Sequence, residues 1–333
     1  MKKIKIAQIG TSRNSHGASI WNSLTKQSDI FEPAGYALPE GERKKFPERI
    51  SVFDGYPELT VQEILDNPEI EAVAIETEEV YLTKYAIMAG KAGKHLHMEK
   101  PGSADPCAFE SLIAILKEKK LVFSLGYMYR FNPKIKEAIE KIARGELGEI
   151  YSIEAHMNCK QSAELRKWLE NFPGGMMFFL GCHLVDLIYR IQGEPSEVIP
   201  LNCATRFDGV SSKDYGMALF KYPNGISFAK SCGSEFGGFL RRQLVICGEK
   251  GTLEIKPLET LCDEGQFTVM NESYSTNWHE PWTATKTEAY DRYDDMLRNF
   301  AEMVRGKENP YTYDYELNLH RLLLKACGYN FPK

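Results

Sequence analysis

Two stretches of the chain carry side chains that can do chemistry near neutral pH. The first is Gly93-Lys94-His95-Leu96-His97-Met98-Glu99-Lys100-Pro101. A helix-like run ends at Ala92 and is closed by Gly93, a residue suited to the position just past a helix. His95 to Met98 then reads as a strand, and Lys100 directly precedes a proline, which biases it away from the helical region. A lysine at a strand end of an α/β sheet stands where such sheets bind ligands. The second stretch runs from Gly174-Gly175 through Gly181-Cys182-His183-Leu184-Val185-Asp186. Its glycines allow a tight approach into a helix, and His183 and Asp186, three apart, share one helix face. A histidine at a helix start, beside a lysine-bearing loop, can shuttle a proton. Cys182-His183 lacks further ligands at metal-binding spacing, so no metal is expected. A single lysine in a βα loop, or a single histidine on an apolar helix, is more often structural. The weight therefore comes from the rest of the chain.

The elements that must hold these residues fall into two sets. Residues 1–124 alternate short apolar strands (Ile4–Ile9, Pro33–Ala37, Ala72–Ile75, His95–Met98, Leu121–Gly126) with helices (about 18–26, 61–65, 80–92 and 105–119). That alternation predicts an α/β domain with a parallel, doubly wound sheet covered on both faces. From residue 125 to 333 the rhythm changes to α+β. Helices are expected over 133–144, 180–192, 285–305 and 315–327. Strands are expected over 149–157, 198–204, 215–222, 225–232, 242–248 and 251–255, with hairpin turns at Pro223-Asn224-Gly225 and Glu249-Lys250-Gly251. These strands predict a large, mostly antiparallel sheet with apolar residues on both faces, such as Phe220, Ile226, Phe228, Val245 and Ile246. Helices cover one face. The other is left as a patch that favours self-association into a dimer or tetramer.

Within the first set, Gly10-Thr11-Ser12-Arg13-Asn14-Ser15 stands where a dinucleotide fold places G-x-G-x-x-G, with Ser12 and Ser15 at the second and third glycine positions. Small residues there let the backbone approach a pyrophosphate at the next helix N-terminus. The second strand ends Ala37-Leu38-Pro39-Glu40 without an acid directly at its end. Glu40 is placed to reach a ribose, and Arg43 or Lys44 to neutralise a 2′-phosphate.

Composition narrows the class. The chain has 333 residues, 43% of them hydrophobic, and a net charge of −5 spread along its length. This fits about two soluble domains and gives no basic surface for nucleic acid. No apolar run approaches the ~20 residues of a membrane span, and Met1-Lys2-Lys3 leads into a strand too short for a signal peptide. The eight cysteines contain no C-x-x-C pair and are expected as reduced, cytoplasmic thiols.

Taken together, the Gly10 turn, the run Ala92 to Pro101, the run Gly126-Tyr127-Met128-Tyr129-Arg130-Phe131-Asn132-Pro133, the run Gly174 to Asp186, and Gly248-Glu249-Lys250-Gly251-Thr252-Leu253-Glu254 resemble the glucose-fructose oxidoreductase / inositol dehydrogenase / rhizopine-catabolism (Gfo/Idh/MocA) family. The resemblance covers nearly the whole chain. It implies an N-terminal Rossmann domain binding NAD or NADP and a C-terminal substrate-binding domain whose open sheet often forms an oligomer face. Cofactor contacts are then expected from Gly10, Thr11, Ser12, Arg13, Asn14, Leu38, Thr77, Glu99 and Lys100. NAD is favoured because no arginine directly follows the second strand. The resemblance puts Lys100 beside the nicotinamide and His183 at the reacting carbon of a sugar, polyol or related substrate, in the cleft between domains. Tyr129, Arg130, Lys160, Arg166, Lys167 and Phe179 are expected around the substrate. Two departures stand out. Phe179 replaces an aspartate usual four residues before the histidine. The run Ile75-Glu76-Thr77-Glu78-Glu79 replaces one that often carries asparagine, and its acids repel a pyrophosphate unless they point to solvent or to ribose hydroxyls. These departures keep two alternatives open: a non-redox enzyme that uses bound NAD transiently, and a binding or sensor protein that keeps only the fold.

Overall fold

The structure, a computed structural model, describes residues 2–263 and 265–331. Five short apolar runs form the first sheet: β1 (Ile4–Ile9), β2 (Phe31–Ala37), β3 (Ala72–Ile75), β4 (His95–Met98) and β5 (Phe123–Leu125). They pair in the order β2-β1-β3-β4-β5, all parallel. Every residue of β3 is buried, which is why these strands read as continuous apolar segments rather than alternating ones. Between them run α1 (Gly17–Lys26), the single turn α2 (Glu42–Lys45), α3 (Val61–Asp66), α4 (Leu82–Lys91) and α5 (Pro106–Lys119). α3 starts on a capping box, with the Thr60 side chain accepting from Glu63 N and the Glu63 carboxylate accepting from Thr60 N. The chain leaves β1 for β2 on one side and returns to β3 on the other. The carboxyl ends of β1 and β3 therefore flank a topological switch point, the position where such sheets bind ligands.

The second set begins with α6 (Pro133–Ala143), capped by the Asn132 side chain, then β6 (Ile150–His156), α7 (Ala163–Trp168) and α8 (Cys182–Gln192). β7 (Glu197–Pro200), β8 (Tyr215–Tyr222), β9 (Gly225–Cys232), β10 (Gln243–Gly248), β11 (Thr252–Ile255), β14 (Val269–Ser273) and β15 (Thr283–Lys286) join β6 in an eight-stranded sheet of order β15-β14-β11-β10-β6-β9-β8-β7. The β6–β9 pair is parallel and the other pairs are antiparallel. β12 (Thr260–Cys262) and β13 (Gly265–Phe267) form a separate ribbon. One face of the sheet packs against α8 and buries Phe220, Leu244 and Ile246. The opposite face leaves Phe228 and Val245 half-buried and Ile226 exposed.

Two sequence expectations are corrected here. The helix placed at 285–305 starts only at α9 (Asp294–Val304), because Thr283 and Thr285 alternate on a strand that pairs with β14. The strand placed at 198–204 is regular only to Pro200: Leu201 N still donates to the Met217 carbonyl, but Met217 N turns to the Asn202 side chain, and beyond it a bridge between Cys203 and Tyr215 remains.

The closing helices also differ from their expected place in the second domain. One compact unit comprises Met1–Tyr127 with Tyr293–His320, and the other Met128–Arg292 with Arg321–Lys333. α9 turns Met296, Leu297 and Phe300 inward and anchors on α1, where Ser23 Oγ and Lys26 Nζ reach the Asp294 carboxylate at 2.5 and 2.6 Å. α10 (Tyr313–Ala326) contributes His320, whose ring stacks on Phe109 and bonds the Ser103 carbonyl at 2.7 Å. Among the described residues no helix is long and apolar enough to cross a membrane. The seven cysteines with described side chains are free thiols, while Met1 and the Cys262 side chain lie outside the described residues.

Candidate active site

Gly10 sets the geometry at the end of β1. Its φ of +94° suits glycine, and a Cβ there would lie 2.4 Å from Thr77 N and 2.5 Å from Thr77 Cα. The turn and the end of β3 therefore touch backbone to backbone. Gly10 N donates to the Ala37 carbonyl (2.8 Å) and Ser12 N to the Glu76 carbonyl (3.1 Å), which ties the turn to β2 and β3 at once. Ser12 Oγ accepts from Asn14 N and Ser15 N, shaping the approach to α1. The tightly packed third position is Gly17 rather than Ser15. A Cβ on Gly17 would meet Gln8 Nε2 and Glu76 Cβ at 3.1 Å each. α1 has no capping side chain and no acid in its first turn, which leaves its N-terminus suited to an anion.

Beneath this turn lie four buried acids: Glu42, Glu76, Glu79 and Glu99. Glu42 Oε2 accepts from Thr11 N at 3.0 Å, and burial pushes its carboxyl up to about 7 despite that bond. Both oxygens of Glu76 and both of Glu79 are without hydrogen bonds. Burial, followed by the charges of Glu99 and Glu79, raises Glu76 well above the usual carboxylate range. Burial raises Glu79 to about 8, with Lys100 opposing. Glu99 behaves in the opposite way. Burial acts to raise it, but His16, 3.1 Å away, and Lys100, 3.6 Å away, outweigh burial and hold it low. His97 is fully buried, is pushed down to about 4 by desolvation, and sits 3.9 Å from Glu76. The acids of the 75–79 run thus do not all point to solvent. Glu78 pairs with Lys45 at 3.4 Å, while Glu76 and Glu79 point inward. The sequence shows these acids but not that burial favours their neutral forms.

The remaining first-unit candidates are placed as follows. Thr77 is buried against Gly10, and Leu38 leads out of β2 into a short turn. Arg13 is exposed and its carbonyl accepts from Arg49. Lys100 is buried beside Glu99. Glu40 is held by Lys84 (2.6 Å) and Tyr85 OH (2.7 Å), and Arg43 by Glu58 and Tyr36 OH.

In the second unit, His183 is buried on the first turn of α8. The Tyr129 ring packs edge-on against it with centroids 5.1 Å apart. The glycines that lead into α8 are forced by packing. Cβ atoms at Gly174 and Gly175 would lie 2.7 Å from Cys327 Cα and 2.3 Å from the Lys213 carbonyl oxygen, and both glycines have positive φ. A single π-turn at Met177–Gly181 then delivers the chain into the helix. Phe179 lies in an apolar cluster with Cys159, Leu169 and Met176, with Trp168 edge-on to it.

Three of the four basic candidates lie against acids. Arg130 makes a forked pair with Asp186, Nη2 to Oδ1 at 2.7 Å and Nε to Oδ2 at 3.1 Å. Arg166 is fully buried between Asp214 (3.0 Å) and Asp208. Lys160 is exposed, 3.6 Å from Asp208, and Lys167 is exposed. The Tyr129 hydroxyl donates to Glu259 Oε1 at 2.5 Å. Burial and then Glu259 push that phenol well up. Burial also acts to raise Glu259, but Arg292 and Arg242 hold it ionised. Sequence reasoning missed Glu259, Arg242 and Arg292, which lie far from Tyr129 in the chain and in no recognisable motif.

Comparison with known proteins agrees with this architecture. Residues 4–127 match the oxidoreductase-family NAD-binding Rossmann fold, and residues 135–254 match the GFO/IDH/MocA C-terminal domain. An uncharacterised oxidoreductase, YhhX, from Escherichia coli is 30% identical over 142 residues, covering 41% of this chain and 40% of its own. The dTDP-3,4-didehydro-2,6-dideoxy-α-D-glucose 3-reductase of Actinomadura kijaniata is 27% identical over 160 residues, covering 47% and 46%. The chain thus spans less than half the length of these two relatives. A levoglucosan dehydrogenase solved with NADH and levoglucosan superimposes with a TM-score of 0.79 over 98% of both chains, at 16% identity, a likeness of fold. The two matched domains, in order, place the chain in the Gfo/Idh/MocA oxidoreductase family, with the first unit as its NAD-binding Rossmann domain.

Proposed function

We propose that the protein is an NAD(P)-dependent oxidoreductase acting on a CH–OH group of a sugar, polyol or related carbohydrate. The observation that carries this is the contact of the Gly10 turn with Thr77 at the switch point, beside an α1 N-terminus that carries no acid. These residues fit a dinucleotide. Gly10, Thr11, Ser12, Arg13 and Asn14 would hold its pyrophosphate, with Leu38, Thr77, Glu99 and Lys100 along the remainder. The neutral carboxyls of Glu76 and Glu79 remove the repulsion that ionised acids would create there. The cofactor supplies hydride transfer when bound. Lys100 contributes a cation that stabilises alkoxide charge on the substrate oxygen, and His183 accepts the hydroxyl proton. Tyr129 fixes the plane of the His183 ring, while Arg130 acts through Asp186. NAD is favoured over NADP because Arg43 is already engaged by Glu58 and Tyr36.

Phe179 keeps a non-redox reaction of the same fold in view, since it packs in an apolar cluster and offers no hydrogen bond to a substrate. The half-buried Phe228 and Val245 and exposed Ile226, on the uncovered sheet face, support self-association. A sedimentation mass of one chain at micromolar concentration would oppose it. Turnover on a panel of sugars, polyols and keto-sugars tests the main reading. Lys100→Ala and His183→Ala should each lower kcat by about 100- to 10,000-fold. Wild-type turnover in His183→Ala would reduce His183 to a core residue.

A further inference from the structure

The hairpin joining β14 to β15 has an aromatic tip, residues 274–282. Trp278 is 97% exposed, Tyr274 46% and Trp282 45%. Exposed indoles are uncommon on a folded surface, and several in one loop mark a place where something binds. The tip is held in shape. Ser275 Oγ donates to Glu280 Oε2 at 2.5 Å and accepts from Asn277 N at 3.0 Å. His279 N donates to Asn277 Oδ1 at 3.1 Å, and Glu280 N to the Asn277 carbonyl at 3.1 Å. The Tyr274 ring lies on the backbone of Gly251, where a Cβ would come within 2.5 Å of it. The Tyr274 hydroxyl donates to Glu272 at 3.1 Å. With the Gly248–Thr252 turn, the tip lines an open, solvent-facing depression of about 390 Å³, within the usual size of small-molecule sites.

The chemistry of the lining selects the ligand. Alongside the three rings it presents the carboxylates of Glu249 and Glu280, the Lys250 ammonium and the Asn277 amide. A purely apolar ligand would leave these polar groups unmatched. A phosphate or nucleic acid would meet two carboxylates against one lysine. A saccharide offers apolar C–H faces to the rings. Its rim of hydroxyls donates to Glu249 and Glu280 and accepts from Lys250 and Asn277. We infer that this pocket is a saccharide-binding site, with Trp278 extending it toward a second sugar unit of an oligosaccharide. The site shares no residue with Lys100, His183 or the Gly10 turn and stands independently of the proposed reaction.

Two of the chain's four tryptophans lie in this tip, so intrinsic fluorescence reads it directly. Titrations with cellohexaose, maltohexaose, xylohexaose and chitohexaose should reveal at least one that quenches or shifts the emission and binds tighter than its monosaccharide. Trp278→Ala and Trp282→Ala should each weaken that binding at least tenfold, and Glu249→Gln should weaken it less. NADH binding should stay unchanged in all three. Both tryptophans are exposed at a loop tip, so the variants should keep the wild-type circular dichroism. The inference is overturned if none of the hexasaccharides binds at millimolar concentration, or if both tryptophan variants bind them as the wild type does. It is also overturned if Trp278→Ala converts an oligomer to a monomer in sedimentation without affecting sugar binding, since the ring would then be a subunit contact.

Discussion

The two units bury their acids in opposite ways. In the second unit, Asp186 is forked by Arg130, Asp214 is met by Arg166, and Glu259 is clamped by Arg242 and Arg292 with a tyrosine hydroxyl. In the first, four acids lie under the Gly10 turn with Lys100, His16 and His97 for company, and the carboxyl oxygens of Glu76 and Glu79 meet no donating side chain. A matched buried ion pair specifies structure, and its removal is costly because it strands a charge. An unmatched buried carboxyl is tolerated by staying protonated. Such perturbed groups gather where a molecule binds or reacts. The contrast supports the proposed nucleotide site over the cradle under Gly10, and a scaffolding part for the second unit's ion pairs around His183.

The sharpest way to break this division is Gly10→Val. Its side chain would run into the Thr77 backbone at 2.4 Å, so nucleotide binding should be abolished. A variant that still binds NADH with wild-type affinity would remove the turn from the site. Next in size is Arg130→Ala. It takes the forked guanidinium away from the buried Asp186 carboxylate and should cost about 3–5 kcal/mol in denaturant unfolding. A loss under 1 kcal/mol would show that the pair is not scaffold.

The last test is Glu79→Gln, whose effect grows with pH. The unfolded chain releases the Glu79 proton near 4.5, whereas the folded state keeps it until about 8. Between these values the folded state binds more protons, so stability falls as pH rises from 4.5 to 8 and then levels off. Glu79→Gln cannot ionise. It should match the wild type near pH 5 and exceed it in thermal stability near pH 9. Equal pH slopes for the two proteins would mean that Glu79 is not protonated in the fold.

Much of the first unit is written locally. Apolar runs such as Ala72–Ile75 and the Gly93 stop mark parallel strands and helix ends without any partner in view. The Gly10 turn, Lys100 and His183 are likewise visible because glycine, lysine before proline, and histidine after paired glycines are unusual local choices. What escaped depends on distant partners. Thr283 and Thr285 become a strand only because β14 offers an edge, and α9 joins the first unit because Asp294 meets Ser23 and Lys26. The acids that meet Arg130 and Arg166, namely Asp186 and Asp214, stand 56 and 48 residues further along the chain. The acids at 76 and 79 read as repelling a pyrophosphate unless they point to solvent or to ribose hydroxyls, a choice that omits the buried, neutral form.

The central claim, that a neutral-carboxyl cradle receives a dinucleotide, is tested most directly by calorimetric titration of the protein with NADH and NADPH from pH 6 to 9. Running each titration in buffers of different ionisation enthalpy reveals any protons exchanged on binding. The pyrophosphate is anionic, and Glu42 and Glu79 titrate at about 7 and about 8. The account therefore predicts binding that takes up protons near pH 7.5 and weakens steadily toward pH 9. Failure of both nucleotides to bind at millimolar concentration, or binding with no proton uptake and no loss of affinity up to pH 9, would contradict it.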